Sequence, residues 1–229
     1  MTLTELLHRQ IRGILFDVDG TLVDSNFFHT VCWWQAFQQQ NLDVPSAVIH
    51  RAIGMGADKL IEHVLSEAGI DAELDADEVS DAHDALYSGY WSRVRPLPGA
   101  RDILRLCHDA GLTTVLASSA AERELAVLTK LLSCDDAIDV TTSSADAEAS
   151  KPAPDIVGVA LGKAQLAPQD ALFIGDAVWD VQAAGKLGVP CIGLESGGTS
   201  AAELIDAGAL GAYADARDLL DHKDDWLHS

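Results

Sequence analysis

The segment Ile14-Leu15-Phe16-Asp17-Val18-Asp19-Gly20-Thr21 joins a short apolar run to two aspartates and a glycine. The apolar run is typical of a buried β-strand. Because side chains alternate along extended backbone, we expect Asp17 and Asp19 to lie on one side of the chain. Gly20-Thr21 predicts a turn directly after them. Two carboxylates at the end of a buried strand are costly to place unless a cation or a catalytic task accompanies them.

Similar apolar runs alternate with helical patterns along much of the chain, which indicates a parallel sheet flanked by helices. The predicted strands are 14–16, 113–117, 138–140, 171–174 and 189–192. The predicted helices between them are 100–110, 121–132, 154–164 and 179–187. We therefore predict an α/β fold with a Rossmann-like, doubly wound parallel sheet.

The stretch from about residue 26 to 90 differs, because it has no strand-like run and is typical of about four helices, including 27–40 and 57–68. We interpret it as a helical insertion after the first strand. Residues 93–99 contain two prolines and a glycine, and would return the chain to the main domain. We expect residues 1–24 and 93–229 to form the catalytic core and residues 25–92 to form a helical cap domain.

Polar residues also follow the later strands, at the sheet edge where open α/β folds bind ligands. Ser118 and Ser119 precede a predicted helix. Serine at that place is usually a cap, but the free N–H groups of a helix start also suit phosphate. Lys151 precedes two prolines that would hold its backbone rigid and aim its ammonium group, although it could also be ordinary surface charge.

Asp176 and Asp180 follow the fourth strand, one helical turn apart. Helix capping could explain Asp176 alone, but it does not explain the pair. Carboxylates without a histidine or thiol among them favour Mg²⁺ over Zn²⁺. The predicted sheet edge therefore combines three or four carboxylates, a hydroxyl and an ammonium group.

The 229 residues carry a formal net charge of -21. Nucleic acid and anionic membranes would repel such a chain, so we expect neither as a partner. A phosphate site would have to be locally positive, through a metal ion or a placed lysine. No apolar run approaches the roughly 20 residues that span a bilayer. The four cysteines are widely spaced without a CxxC pair, so we expect buried free thiols and a cytoplasmic protein.

On four segments the chain resembles the haloacid dehalogenase superfamily, in its phosphatase branch with a helical cap after the first strand. The segments are Asp17-Val18-Asp19-Gly20-Thr21-Leu22, Leu116-Ala117-Ser118, Ser150-Lys151-Pro152 and Gly175-Asp176-x-x-x-Asp180. The resemblance implies that Asp17 attacks phosphorus and forms an aspartyl-phosphate. It also implies that Asp19 protonates the leaving alcohol and then deprotonates the hydrolytic water.

The resemblance further implies a Mg²⁺ ion held by Asp17, the backbone carbonyl of Asp19, and Asp176. Asp180 would contact the ion directly or through water. The residues expected to hold the phosphoryl oxygens are Ser118, Ser119 and Lys151, and the expected supporting residues are Thr21 and His29. His29 near the hinge could position Asp19, or it could be an exposed helix histidine. Lys59 could contact a substrate anion, or it could be a solvated helix lysine.

Asp19 favours phosphate esters, because haloacid dehalogenases lack this second aspartate and phosphonate-cleaving relatives replace it. The main alternative is β-phosphoglucomutase, which has the same nucleophile, acid, serine and lysine. That enzyme also has a lysine just before the cap glycine and an arginine three residues after it. Aligned on Gly54, this chain has Ile53 and Ala57 there. We therefore predict a Mg²⁺-dependent phosphatase for a small phosphorylated metabolite, with a mutase or a non-enzymatic binding protein as alternatives and the oligomeric state undetermined.

Overall fold

The computed structural model describes residues 2–6 and 9–227. Its centre is a six-stranded sheet in which all neighbouring strands are parallel. The strands are Gly13–Phe16 (β1), Thr113–Ala117 (β2), Val140–Thr142 (β3), Ala171–Gly175 (β4), Cys191–Leu194 (β5) and Ala212–Tyr213 (β6). Their order across the sheet is β3-β2-β1-β4-β5-β6. The predicted doubly wound α/β fold is confirmed.

Eleven α-helices are described in residues 2–6 and 9–227. They are Leu3–Leu6 (α1), Asn26–Gln39 (α2), Ser46–Ala52 (α3), Ala57–Ala68 (α4), Ala76–Ser88 (α5), Ala100–Asp109 (α6), Glu122–Leu132 (α7), Asp155–Ala164 (α8), Val178–Lys186 (α9), Ala201–Asp206 (α10) and Ala216–Asp221 (α11). Each predicted helix bound lies within one residue of the observed one. Amphipathic helices such as α4 and α6 were readable because their apolar residues recur on one face and are buried against a partner.

Both faces of the sheet are buried, which explains why its strands are continuous apolar runs. Ile14 and Phe16 of β1 pack into the cluster that includes residues of α6, α7 and α11. Leu15, pointing to the opposite face, packs with residues of α8 and α9. Strand alternation thus divides one short run between two hydrophobic layers.

The strand order places the switch point of the sheet between β1 and β4. From β1 the chain moves outward to β2 and β3, and then returns to β4 and moves outward in the other direction. At such a point the connections on either side diverge and leave a crevice beyond the strand ends. Asp17 and Asp176 directly follow these two strands, so the topology brings them to one crevice.

The helices α2 to α5 lie between β1 and α6 in sequence and have a hydrophobic cluster of their own. Its buried members include Trp33, Phe37, Ile49, Leu60 and Val64. This is the helical insertion that the sequence indicates. The assignment of residues 25–92 to a cap domain and of 1–24 and 93–229 to a core domain stays a prediction.

The structure differs from the predicted strands at the sheet edges. β3 begins at Val140, because Asp139 lies outside the strand and its carboxylate accepts the backbone N–H of Thr114 at 2.8 Å. β5 begins at Cys191, because Val189 still closes the end of α9 by donating its N–H to the carbonyl of Ala184. β6 was not predicted, and its two residues are too few for a periodic pattern.

Two other expectations concern the whole chain. All four cysteines are buried and free, as expected. Within the described residues, none of the helices has the length and apolarity that crossing a bilayer would need.

Candidate active site

Asp17 and Lys151 form the centre of a buried polar cluster at the end of β1. The Nζ atom of Lys151 lies 2.5 Å from Oδ1 of Asp17 and 2.7 Å from Oδ1 of Asp180. Lys151 is only 1% exposed and Asp17 only 4%. Charges this deeply buried are tolerated only when they are paired. The alternative interpretation of Lys151 as surface charge is therefore wrong.

Asp176 is held in place by two neutral donors. The hydroxyl of Thr21 donates to Oδ1 at 3.0 Å, and the side-chain amide of Asn26 donates to Oδ2 at 2.8 Å. Gly197 packs so closely on this carboxylate that a Cβ atom there would collide with both Asp176 and Asn26. The position of Asp176 is thus fixed by β4, by the turn after β1, by α2 and by the loop after β5.

Asp180 lies in the first turn of α9, one turn from Asp176. Its Oδ2 atom accepts the backbone N–H of Ala177 at 3.1 Å, which satisfies a free donor of the helix start. The capping role considered for Asp176 therefore belongs to Asp180, and Asp176 is left free of helix hydrogen bonds. Asp180 combines this role with its ion pair to Lys151.

The three carboxylates Asp17, Asp176 and Asp180 suit a divalent cation. One oxygen from each lies within 4.8 Å of the others, and all three residues are buried. When ionised they carry three negative charges against the single positive charge of Lys151, so a divalent ion would make the cluster neutral. An all-oxygen set of this kind fits Mg²⁺.

The pKa values of Asp17 and Asp176 are consistent with a cluster that lacks positive charge. Burial raises the pKa of Asp17 to about 7, although Lys151 opposes the rise. Burial, together with the nearby charges of Asp180 and Asp17, raises the pKa of Asp176 well above its usual range. A bound cation would favour the ionised forms and reverse both shifts.

Asp19 has different surroundings, although it is only two residues from Asp17. The hydroxyl of Ser25 donates to its Oδ1 atom at 2.5 Å, and Nε2 of His29 lies 3.3 Å from the same atom. Burial alone would raise the pKa of Asp19, but His29 and Ser25 outweigh it and the pKa is lowered. Asp17 and Asp19 therefore lie in different electrostatic surroundings, although they are close in sequence.

His29 is buried, so its interpretation as an exposed helix histidine is wrong. Its Nε2 atom also lies 3.3 Å from Oε1 of Glu124, on α7. Burial would lower the pKa of His29, but the contacts with Asp19 and Glu124 outweigh burial and raise it to about 10. The imidazolium is therefore held between a residue of the β1 turn and a residue of α7.

A second histidine extends this network into α5. Nδ1 of His29 lies 3.1 Å from Nε2 of His83, whose Nδ1 atom lies 2.9 Å from Oδ1 of Asp84. Burial lowers the pKa of His83 to about 4, and the charge of His29 adds to this effect. A neutral His83 that donates from Nδ1 and accepts at Nε2 satisfies every contact, a tautomer assigned from the network.

Ser118 and Ser119 follow β2, and the helix after them begins at Glu122 with Ala121 as its N-cap. Neither serine is therefore the helix cap. The hydroxyl of Ser118 accepts the N–H of Ala120 at 3.0 Å. The Oγ atom of Ser119 is buried and has no hydrogen-bond partner among the described residues. An unpaired buried hydroxyl on a residue that lines the same cavity as Asp17 and Asp19 is suited to binding a ligand.

A cavity of about 380 Å³ opens above these residues, between α2, α4 and α5 on one side and the loops after β2 and β3 on the other. Asp17 and Asp19 line it, together with Ile53 and Ala57. Lys59 is exposed and does not line it, which agrees with a solvated lysine. Within the part of the chain that the structure describes, neither lysine nor arginine lines this cavity.

Four residues of the site were not assigned from the sequence. They are Ser25, Asn26, His83 and Glu124. The first two closely follow the aspartate motif, so their proximity to it was a usable signal. The other two come from distant helices, and no local pattern indicates which of their neighbours they meet.

The chain is similar in sequence to curated phosphatases over most of its length. A phosphoglycolate phosphatase of Yersinia pestis is 32% identical over 195 residues, which cover 82% of this chain and 83% of that protein. A phosphoglycolate phosphatase of Escherichia coli (strain K12) is 30% identical over 209 residues, which cover 82% of each chain.

Solved structures share the fold. A hydrolase from Pseudomonas syringae superimposes with a TM-score of 0.89 at 32% identity, covering 95% of this chain and all of that one. A β-phosphoglucomutase from Clostridium difficile superimposes with a TM-score of 0.80 at 17% identity, covering 94% of this chain and 97% of that one. The second likeness is one of fold alone.

A family model for haloacid dehalogenase-like hydrolases matches residues 11–188. The matched region includes both aspartate pairs, the two serines and the lysine of the buried cluster. The expected resemblance and the expected enzyme class are therefore confirmed. The chain belongs to the haloacid dehalogenase-like hydrolases.

Proposed function

We propose that this protein is a Mg²⁺-dependent phosphatase that hydrolyses a small phosphorylated metabolite through an aspartyl-phosphate at Asp17. The observation that carries the proposal is the buried cluster of Asp17, Asp176, Asp180 and Lys151 beside a cavity of about 380 Å³. The names of the curated phosphatase relatives support the same reaction class.

In the proposed first step, a carboxylate oxygen of Asp17 attacks phosphorus and the bond to the ester oxygen breaks. Asp19 gives its proton to that oxygen, so the alcohol leaves neutral. In the second step Asp19 takes a proton from water as the water attacks phosphorus. The bond to Asp17 then breaks and inorganic phosphate leaves, with both aspartates restored.

His29 orients Asp19 and stabilises its ionised form, which is the form that takes a proton from water in the second step. Its contact with Oδ1 supplies positive charge when Asp19 is ionised and fixes the orientation of the carboxylate. Glu124 contacts the same Nε2 atom as Asp19, and His83 contacts the Nδ1 atom on the other side of the ring. We propose that this support, rather than an effect on the nucleophile, is the contribution of His29.

Asp17, Asp176 and the backbone carbonyl of Asp19 would hold the Mg²⁺ ion, with Asp180 directly or through water. A bound Mg²⁺ ion would let the anionic carboxylate and the anionic phosphate approach each other. Lys151 supplies the second positive charge next to Asp17, and Ser118 and Ser119 offer hydroxyl and backbone donors to the phosphoryl oxygens.

The cavity lining favours a phosphatase over a mutase. A mutase must hold a sugar with phosphate at either end, which requires positive charge at the far end of its cavity. Ile53 and Ala57 line this cavity, and lysine and arginine are absent from its described lining. We further propose that residues 25–92 act as a cap that shields the site from bulk water. The free buried thiols suit a reducing cytoplasm.

The test is phosphate release from an aryl phosphate such as p-nitrophenyl phosphate, with Mg²⁺ and after chelation. The wild type should turn over only with the metal, and Asp17→Asn should lose at least about a thousandfold in turnover because it lacks the nucleophile. Normal turnover in Asp17→Asn would refute the mechanism. Adding a hexose phosphate and scoring isomer against free phosphate separates hydrolysis from mutase activity.

A further inference from the structure

Apart from the residues already assigned to the site, the lining of the cavity next to Asp17 has a marked charge imbalance. Three carboxylates, Asp58, Asp84 and Glu148, line it from three different segments. They belong to α4, to α5 and to the loop before Lys151. Within the described residues, no lysine or arginine side chain lines the cavity to balance them.

The two histidines of the cavity do not correct this imbalance. His29 is engaged on Nε2 by Asp19 and Glu124, and on Nδ1 by His83. His83 is engaged on Nδ1 by Asp84. A negatively charged group on the leaving alcohol would thus face three carboxylates without a free ring N–H to receive it.

The phosphate end of the cavity differs, because a divalent cation there would neutralise the carboxylates that Lys151 alone leaves unbalanced. There Lys151 lies against Asp17, and the carboxylate cluster suits a divalent cation. The volume of about 380 Å³ is at the small end of ligand pockets. A matching substrate would carry its negative charge on the phosphate only, and a positive charge on a short leaving group.

We propose that the leaving group is a small amino alcohol, so that the substrate is the phosphate monoester of an alcohol with a protonated amine. This inference rests on the proposed phosphatase function and names the substrate class of the same site. The ammonium group would lie among Asp58, Asp84 and Glu148, with the ester oxygen next to Asp19. A carboxylate-bearing alcohol, as in phosphoglycolate, would be disfavoured at the same place.

The experiment compares three esters of similar length that differ in the charge of the leaving group. They are 2-aminoethyl phosphate, propyl phosphate and phosphoglycolate, with p-nitrophenyl phosphate as the standard for turnover. Values of kcat/KM are measured with Mg²⁺ at low and at high ionic strength. We expect 2-aminoethyl phosphate to exceed phosphoglycolate by at least about tenfold at low salt, with propyl phosphate between them. Salt should reduce the ratio because the carboxylates are solvent-accessible.

A double variant, Asp84→Asn with Glu148→Gln, tests whether the preference comes from the cavity. Its ratio of 2-aminoethyl phosphate to phosphoglycolate should fall by several-fold relative to the wild type. The control is Asp81→Asn with Glu122→Gln, which removes the same charge at two exposed positions that do not line the cavity. The control should keep the wild-type ratio, since the field of the whole acidic chain changes equally in both variants.

The outcomes distinguish the two proposals. If p-nitrophenyl phosphate is hydrolysed in an Asp17-dependent way but phosphoglycolate equals or exceeds 2-aminoethyl phosphate at low salt, the amino-alcohol proposal is wrong and the phosphatase proposal stands. Equal values for 2-aminoethyl and propyl phosphate would also refute it, as would a preference that survives in the Asp84 and Glu148 double variant. If none of the four esters is hydrolysed, both proposals fail.

Discussion

Asp17 and Asp180 share the ammonium group of Lys151, whereas Asp176 is held by the uncharged donors Thr21 and Asn26. Hydrogen bonds from a hydroxyl and an amide orient a carboxylate but do not neutralise it. A bound cation would therefore stabilise Asp176 more than the other carboxylates of the cluster. Its raised pKa, which burial chiefly causes, is consistent with the lack of a positively charged partner.

Replacement of Asp176 by Asn should remove the response to Mg²⁺. We expect saturating Mg²⁺ to raise the Tm of the wild type by about 5 °C, through binding to the folded state alone. The Tm of Asp176→Asn should rise by less than about 1 °C. Thermal unfolding with and without Mg²⁺ measures this independently of turnover.

Asp206→Asn, at the exposed end of α10, is the matched control and should keep the wild-type response. A Mg²⁺-induced shift of wild-type size in Asp176→Asn would place the cation elsewhere.

At the level of elements, α2 and α5 are joined to the site by stacked aromatic rings as well as by hydrogen bonds. His29 stacks on Tyr87 with ring centroids 3.8 Å apart, and His83 stacks on Trp33 at 4.1 Å. Because α2 follows the β1 turn directly, this packing fixes the position from which His29 reaches Asp19. The buried His83 also gives this helix pair a sensitivity to acid.

The contribution of His83 to the pH dependence of stability can be derived from its pKa, which burial lowers from about 6.5 to about 4. Between these values the unfolded chain binds a proton at this site and the folded chain does not. Its stabilising contribution is therefore complete above pH 6.5 and is lost as the pH falls toward 4. From pH 7.5 to pH 5 the loss amounts to about 2 kcal/mol of unfolding free energy.

Urea unfolding of the wild type and of His83→Gln at both pH values measures this loss. The free-energy difference between the two proteins should change by that amount, with the wild type losing more on acidification. His108→Gln, an exposed histidine in the last turn of α6, serves as the control and should follow the wild type. Parallel pH profiles for wild type and His83→Gln would show that His83 keeps its ordinary pKa.

The loop after β5 contributes to the site because its Gly197 has no side chain and can pack directly against Asp176. A Cβ atom on Gly197 would collide with Asp176 and Asn26, so Gly197→Ala must displace the carboxylate or the loop. We expect turnover to fall by at least about tenfold, because small misplacements of a reacting group are costly. Steady-state kinetics on an aryl phosphate test this expectation.

Gly185→Ala is the matched control, since a Cβ atom on this glycine of α9 would meet nothing within 4 Å beyond its chain neighbours and the nearby helix backbone. That variant should keep its turnover and gain about 0.5–1 kcal/mol of stability from the better helix former. Wild-type kinetics in Gly197→Ala would mean that the loop does not fix Asp176.

At the scale of the whole molecule, the sequence was sufficient for those residues that the sheet topology itself assembles. Asp17, Ser118, Lys151 and Asp176 all follow strands or precede helices, and a doubly wound sheet brings such positions to one edge. Their convergence therefore depends on fold class alone, which apolar periodicity indicates well.

Glu124 and His83 could not be found in this way. Each lies within a helix, and each meets His29 only because α5 and α7 approach α2 in three dimensions. That approach depends on side-chain packing between the helical insertion and the sheet domain, which has no period in the sequence. The acidic lining of the cavity has the same origin, since its members come from three separate segments.

The most direct test of an Asp17-linked phosphoryl transfer is to trap the phosphorylated enzyme. Wild-type protein is mixed with Mg²⁺ and an aryl phosphate, quenched in acid within the first turnover, and digested for peptide mapping by mass spectrometry. We predict phosphate on the peptide that contains Asp17, its absence without Mg²⁺, and its absence in Asp17→Asn. Turnover with phosphate trapped on another residue, or undiminished in Asp17→Asn, would contradict the proposed mechanism.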